Sequence, residues 1–450
     1  VIYVRILCSI LTIFFAESAM ANLFLPEIVG ADHYLSGPQI CGPELTVVKD
    51  EHGFFISVTK DASGVGEGAL SLYVHTENRF DPALPSVVVF DGGPGLASHD
   101  EAFPGLRGWN VIRFDQRGLG CSRPRDYATY RDLALYSSEA TARDAENVRQ
   151  FLRISKWAVY GSSYGTVPAT IYASQFAATT MSLTLEGVIA GGGPELWNGS
   201  TQRRLLQQLL NDLPITVLRE LNQFATKYHV ADYWFSAFAR QQMGRNHGLE
   251  ALRNGLLNFA TIADRIAKEL RAAGRDPFVP RTPAGILAVE DPLIFAALAC
   301  RELGLANPRS AIYDSLRAGR LSPSFAVMPS TTVCAPLGIA DDAAKIYRAE
   351  QFPVRVPVTY FQGAEDGETD SDFALAHFKS SRQGPGQILL LRHGGHSPSQ
   401  ELLAEPGPLR ELQLGLFTKA LRGERIGPED VRSFNARGDE HWDLTASAAP

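Results

Sequence analysis

The chain predicts a doubly wound, mostly parallel α/β sheet interrupted by a long helical insertion. Three observations lead there. From residue 86 onward, short apolar runs alternate with amphipathic helical stretches; residues 194–350 break that alternation with helices alone; and a Gly-x-Ser-x-Gly pentapeptide joins one apolar run directly to a helix.

The runs at residues 86–90, 110–114, 156–160, 182–189, 356–361 and 387–391 are rich in Val, Ile, Leu and Phe with little polar alternation, as strands buried on both faces require. Ahead of them, residues 54–60 and 70–75 read as a hairpin around the Gly-rich stretch 64–68. No helix succeeds that stretch, so it is a turn and not a nucleotide loop. Between the second and third runs, residues 138–152 place Ala142, Ala145, Val148, Phe151 and Leu152 at helical spacing, the crossover that a parallel connection needs. Within the insertion, residues 201–210, 249–273 and 292–303 read as helices of a lid. Residues 408–421 form one more helical stretch, and the residues after Leu421 read as a loosely ordered polar tail. The expected organisation is therefore an export signal at 1–21, a first core segment at 22–193, a lid at 194–350 and a second core segment with the tail at 351–450.

Composition sets the boundaries. At 450 residues the chain exceeds what one hydrophobic core organises, and 45% hydrophobic with 20% charged residues is ordinary for a folded globular protein. A formal net charge of -7 without a Lys/Arg run argues against nucleic acid or an anionic membrane as partner and leaves a small molecule or peptide. Arg5, the apolar residues 6–16 and Ala19-Met20-Ala21 read as a secretory signal, with the processed chain starting at Asn22. The apolar run is too short to span a bilayer, so no stable membrane insertion is expected once it is removed. Cys8 falls inside that signal, leaving Cys41, Cys121, Cys300 and Cys334, an even number that suits an oxidising compartment. Four cysteines allow three pairings. With no CxxC pair and no HExxH, neither a metal nor a cofactor is called for.

The chemistry centres on Gly161-Ser162-Ser163-Tyr164-Gly165, placed between the run ending at Tyr160 and a helix starting near Thr166. Strand, Gly-x-Ser-x-Gly and helix in that order make the nucleophile elbow of the α/β-hydrolase fold, which assigns Ser163 as nucleophile. A serine hydroxyl needs a base, and the base needs a group to hold its tautomer; in this fold they come in the order acid, then His. Asp366 stands three residues past Gly363 in the loop after one strand, and is preferred to Glu365 and Asp370, with Glu186 as an outside candidate. His396 comes just past two glycines after the next strand, whereas His393 is expected to end that strand, so His396 is the base. Gly92-Gly93-Pro94-Gly95 comes after the first parallel strand and can aim backbone N–H groups at a substrate carbonyl, with Gly93 and Tyr164 as the two oxyanion donors.

Taken together, Gly92-Gly93-Pro94-Gly95, Asp115-Gln116-Arg117-Gly118-Leu119-Gly120-Cys121-Ser122 and the Ser163 elbow resemble the proline iminopeptidase family and its tripeptidyl-aminopeptidase relatives. The resemblance covers most of residues 41–400 and is strongest from 86 to 165. It implies a secreted or periplasmic serine exopeptidase that removes residues from the N-termini of small peptides, with Asp115 and Arg117 structural or site-shaping rather than catalytic. Two positions depart from the proline-specific members: Asp91 where they carry His, and Tyr164 where they carry Trp. Cys41-Gly42 and the two lid cysteines look like the exported tripeptidyl-type members, and the pairing expected is Cys41 with Cys121 and Cys300 with Cys334. By the same resemblance a lid carboxylate grips the substrate's free α-amino group, and Glu302 is the matching residue, with Glu290 and Asp291 as the other lid acids. Triad chemistry does not itself choose between amide and ester, so a carboxylesterase or other acyl hydrolase on the same fold is the alternative.

Overall fold

In the computed structural model, the described residues are 52–60, 68–98, 106–198, 200–227, 242–257, 268, 291–307, 334–340 and 342–448. The expected signal at 1–21, Cys41 and Glu290 lie outside them.

Among the described residues, nine strands form one sheet in the order β1-β2-β4-β3-β5-β6-β7-β8-β9. The hairpin comes first: β1 (Gly53–Thr59) pairs antiparallel with β2 (Ala69–Thr76), and β2 pairs antiparallel with β4. The parallel body is β4 (Asn110–Phe114), β3 (Ser86–Phe90), β5 (Trp157–Ser162), β6 (Thr180–Glu186), β7 (Val358–Gly363) and β8 (Gly386–Leu391). Alternate residues of one strand serve opposite layers. Val88 and Phe90 of β3 join one apolar core while Val87 and Val89 join the other, which is why these strands show no polar alternation in the sequence.

Helix α1 (Ser138–Phe151) is the predicted crossover, begun by Ser137, whose hydroxyl accepts the Ala140 N–H. Helix α2 (Thr166–Gln175) is buried from Thr166 to Ala173 and packs beneath the sheet's central strands. In the insertion, α3 (Ser200–Asp212) and α4 (Ile215–Lys227) precede residues 248–257, which are also helical. Helix α5 (Pro292–Arg301) is the insertion's most deeply buried described element, with Leu293 to Cys300 at most 3% exposed. Asp291 caps it, accepting the Leu293 and Ile294 N–H groups, the Tyr130 hydroxyl and, at 2.5 Å, the Arg123 guanidinium. Cys300 is bonded to Cys334, and Cys121 is disulfide-bonded as well.

The C-terminal region departs from expectation. Beyond α6 (Ser371–Ser380), α7 (Pro398–Ala404) and α8 (Pro408–Leu421), the supposed polar tail folds into α9 (Pro428–Asn435) and β9 (Trp442–Ala448), which pairs antiparallel with β8. Trp442 explains the order. It is fully buried, donates Nε1–H to Gln413 Oε1 at 2.9 Å, and packs edge-on against Phe361 with ring centroids 5.3 Å apart. Its backbone is held by the Asn435 side chain through two bonds of 2.9 Å. The sequence conceals this because an edge strand buries only part of one face, and Trp-Asp-Leu-Thr-Ala-Ser-Ala carries too little apolar area to announce itself. We expect Trp442→Ala to destabilise the protein by about 3 to 5 kcal/mol, read as a shift in the urea midpoint at unchanged slope. A shift of a few tenths would show that the C-terminal strand adds nothing to the core.

Candidate active site

The site lies at the carboxyl ends of the parallel strands, where a doubly wound sheet gathers its loops. Ser163 comes directly after β5 with φ 54°, a left-handed conformation that a non-glycine residue adopts only when its surroundings force it. The surroundings do. A Cβ on Gly165 would lie 2.0 Å from the Phe90 carbonyl oxygen, and one on Gly161 would lie 2.6 Å from that of Gly165. Only glycine lets β3, β5 and α2 close on one another at this turn. Gly92 approaches the serine itself, its Cβ position being 3.2 Å from Ser163 Cβ. Gly93, with φ 112°, and Tyr164, the two expected oxyanion donors, are the chain neighbours of Gly92 and Ser163.

His396 is bonded to Asp366, with Nδ1 at 3.0 and 3.1 Å from the two carboxylate oxygens. Asp366 is 1% exposed and accepts four further bonds: from the Glu368 and Thr369 N–H groups, the Thr369 hydroxyl and the Gln362 amide. Burial alone would raise its pKa, but the His396 ring and these donors outweigh it, and the net shift is downward. Asp366 therefore stays ionised. A depressed carboxylate contributes stability that is full above its unfolded pKa and lost only as pH falls through the lower folded value.

The other candidate acids are engaged elsewhere. Glu365 pairs with His393 at 3.0 Å, Asp370 caps α6, and Glu186, fully buried, accepts the Ser399 N–H at 2.7 Å and the Tyr160 hydroxyl. His393 does not end the strand. That strand stops at Leu391, leaving His393 in the loop beyond it, about half exposed. Ser163 and His396 come from loops more than 200 residues apart in sequence, yet their neighbours Ser162 and Ser397 meet hydroxyl to hydroxyl at 3.1 Å. His396 also lies against Gly187, where a Cβ would be 2.7 Å from Cε1.

The Asp115-Gln116-Arg117 motif organises the loops around the site. Asp115 accepts the Ser98 N–H and hydroxyl and the Cys121 N–H, binding the loop after Gly95 to its own turn. Arg117 forms a two-pronged ion pair with Asp144 of α1, at 2.8 and 2.6 Å, with both groups buried. Asp91 forms a buried pair with Arg113 at 2.8 Å.

Glu302 terminates α5 and meets the site from the far side of Tyr164. Its carboxylate accepts the Ser138 N–H at 3.1 Å and the Ser138 hydroxyl at 2.5 Å, and that hydroxyl lies 2.9 Å from the Tyr164 hydroxyl. The residue as a whole is only partly buried, but desolvation of the carboxylate pushes its pKa up to about 7 against the opposing bonds from Ser138. Asp291, the other described lid acid, is taken up by its cap and by Arg123 and Tyr130. Thr369 and Gln362 were not anticipated from sequence. A Gln in an otherwise apolar strand end was the one available signal for the second, since a buried amide needs a partner.

The fold and this arrangement of Ser163, His396 and Asp366 define the class: a doubly wound sheet carrying a serine, histidine and carboxylate in the order Ser, Asp, His. The chain belongs to the alpha/beta hydrolase fold family, whose model matches residues 85–398. Among curated relatives, it is 33% identical over 138 residues to a probable proline iminopeptidase of Streptomyces coelicolor, covering 29% of this chain and 41% of that protein. It is likewise 33% identical over 121 residues to the proline iminopeptidase of Neisseria meningitidis, covering 26% of this chain and 36% of the relative. These matches span about two-fifths of the relatives' length or less. Among solved structures, proline iminopeptidase from Mycobacterium smegmatis aligns with a TM-score of 0.43 at 16% identity, covering 82% of this chain and 98% of that one.

His396→Ala should lower turnover of an activated ester by about 10⁴-fold or more, as should Ser163→Ala, and the double variant should be little worse than either. His393→Ala should change kcat by less than about threefold, since its exposed ion pair with Glu365 is a surface contact. A severe His393 variant beside an active His396 variant would reverse the assignment.

Proposed function

We propose that the protein is a serine aminopeptidase that hydrolyses peptide bonds near the free N-terminus of small peptides. Ser163 attacks the scissile carbonyl while His396 takes its proton. Asp366 holds the imidazole through Nδ1 and stabilises the imidazolium that forms. The Gly93 and Tyr164 N–H groups receive the charge that develops on the carbonyl oxygen. His396 then returns the proton to the departing amine, and water repeats the cycle on the acyl-enzyme.

The observation that carries the peptidase reading is the desolvated Glu302 carboxylate beside Tyr164, the residue next to the nucleophile. An enzyme that cuts only from the N-terminus has to recognise an ammonium group at a fixed distance from the carbonyl, and a carboxylate out of bulk water does so by a charge-assisted bond. The activity for which the curated relatives are named supports the same reading. Export to an oxidising compartment is part of the proposal, supported by the Cys300–Cys334 bond and the disulfide-bonded Cys121.

A panel of aminoacyl and tripeptidyl arylamides beside short-chain esters tests the substrate class. Glu302→Gln should lower kcat/KM for unblocked substrates by about tenfold to a hundredfold and leave neutral esters little changed. Because the group is protonated below its raised pKa, the ratio of arylamide to ester kcat/KM should rise as pH increases through about 7 in the wild type and stay flat in the variant. Equal losses on both substrates would mean that Glu302 serves the fold, and preferential turnover of esters would make the enzyme a carboxylesterase.

A further inference from the structure

The insertion touches the histidine loop through a short turn, residues 244–247, just before the helical residues 248–257. Every residue of the loop from His393 to Pro398, apart from Gly394 and Ser397, makes a hydrogen bond to this turn. The His396 N–H donates to the Gly244 carbonyl at 2.8 Å, and the His247 N–H donates to the His393 carbonyl at 2.7 Å. Asn246 bridges the rest. Its Oδ1 accepts the Gly395 N–H at 3.0 Å, its Nδ2 donates to the Pro398 carbonyl at 3.1 Å, and its own N–H donates to Glu401 of α7 at 2.9 Å.

The two backbones lie in direct contact. A Cβ on Gly395 would fall 2.4 Å from the Arg245 carbonyl carbon, so glycine is required for the turn to seat. His247, with φ 55°, bends the chain away, and its ring stacks on His393 with centroids 5.4 Å apart while Nε2 meets Glu440 at 2.7 Å. On the opposite side the acid loop fastens the same segment, through the Glu365 N–H to the Gly394 carbonyl at 3.0 Å. The Asp366 carboxylate fixes the rotation of the His396 ring, but a bond to one ring nitrogen does not fix where the backbone carries that ring. The Asn246 turn does.

We propose that Asn246 is a positioning residue for the catalytic base: its side chain, spanning Gly395 and Pro398, holds the backbone on both sides of His396 at the distance from Ser163 that proton transfer requires. A displacement of about 1 Å at a general base costs on the order of a hundredfold in rate. The inserted segment thereby supplies part of the catalytic geometry and is more than a cover for the substrate.

The proposal rests on Ser163 and His396 as nucleophile and base, so Ser163→Ala and His396→Ala are the first measurements. If either retains turnover of p-nitrophenyl acetate, that assignment fails whatever Asn246 does. With both inactive, Asn246→Ala is expected to lower kcat for this ester, and the rate at which a fluorophosphonate labels Ser163, by about tenfold to a hundredfold with KM within about twofold. Asn246→Asp keeps the acceptor for the Gly395 N–H but loses the donor to the Pro398 carbonyl, so its kcat should lie between those of the wild type and Asn246→Ala. In a His396→Ala background, Asn246→Ala should add nothing to the residual labelling rate, because the residue acts through the base. An unchanged kcat, or a full additional loss without His396, overturns the proposal. Should Asn246→Ala fail to fold, Asn246→Asp and Asn246→Gln decide: both lower kcat, Gln, too long to seat between Gly395 and Pro398, more than Asp, and wild-type kcat in both overturns the proposal.

Discussion

Where β3, β5 and α2 converge, backbone approaches backbone so closely that a single methyl group would collide with a carbonyl oxygen. The space that Gly161 and Gly165 leave open is what permits Ser163 to hold a left-handed conformation at the tip of the turn. Such strain persists only if the surroundings over-determine it. Here they do so through the fully buried strands on both sides and through α2, whose first eight residues are sealed beneath the sheet. The same closure brings Gly92 against the serine, so that Ser163 and the glycine turn are set by one packing event.

The proposed base, His396, depends on a different kind of support. His396 sits in a loop, and loops need to be tied down. Asp366 fixes its ring from within the core, and is kept ionised by the imidazole and four donors against the desolvation that would otherwise neutralise it. The turn at 244–247 fixes its backbone from the insertion. Glu186, buried below, anchors the start of α7 through the Ser399 N–H, limiting how far the loop's C-terminal end can move. Three elements distant in sequence thus hold the one loop that carries His396, its ring from Asp366 and its backbone from the 244–247 turn and Glu186.

Helix α5 packs on the glycine turn beside the serine, where a Cβ on Gly95 would lie 3.2 Å from Phe295 Cβ. Its N-terminus is fastened by Asp291 to Arg123 and Tyr130, its body is apolar and buried against the core, and Cys300 ties it covalently to Cys334. Glu302 at its end is therefore delivered to Tyr164 by a rigid element. Removing the Ser138 bonds would leave a desolvated carboxylate with little to offset its burial, which is why the hydroxyl and N–H of that serine are placed there.

Much of the fold was legible from residues alone because its signals are local. A strand buried on both faces is a short apolar run wherever it occurs, a crossover helix shows its period, and the elbow is five consecutive residues. The boundaries moved by a few residues: β5 runs to Ser162 and β6 stops at Glu186, because pairing with a neighbour, not apolar content, ends a strand. β9 stayed hidden for the same reason, its order coming from β8 and from the pocket around Trp442. At the site, the sequence by itself determined which residue types could do the chemistry and the order in which they occur: Ser163, then an acid near 366, then a histidine near 396. Position in the loops favoured Asp366 and His396 over their neighbours, but only the tertiary structure shows the pairing, Asp366 with His396 and Glu365 with His393, since it depends on which ring lies within hydrogen-bond reach of each carboxylate. The tertiary structure alone brought the 244–247 turn to the histidine loop, because each of those bonds has a main-chain group on at least one side, which every residue possesses and no side-chain pattern reveals.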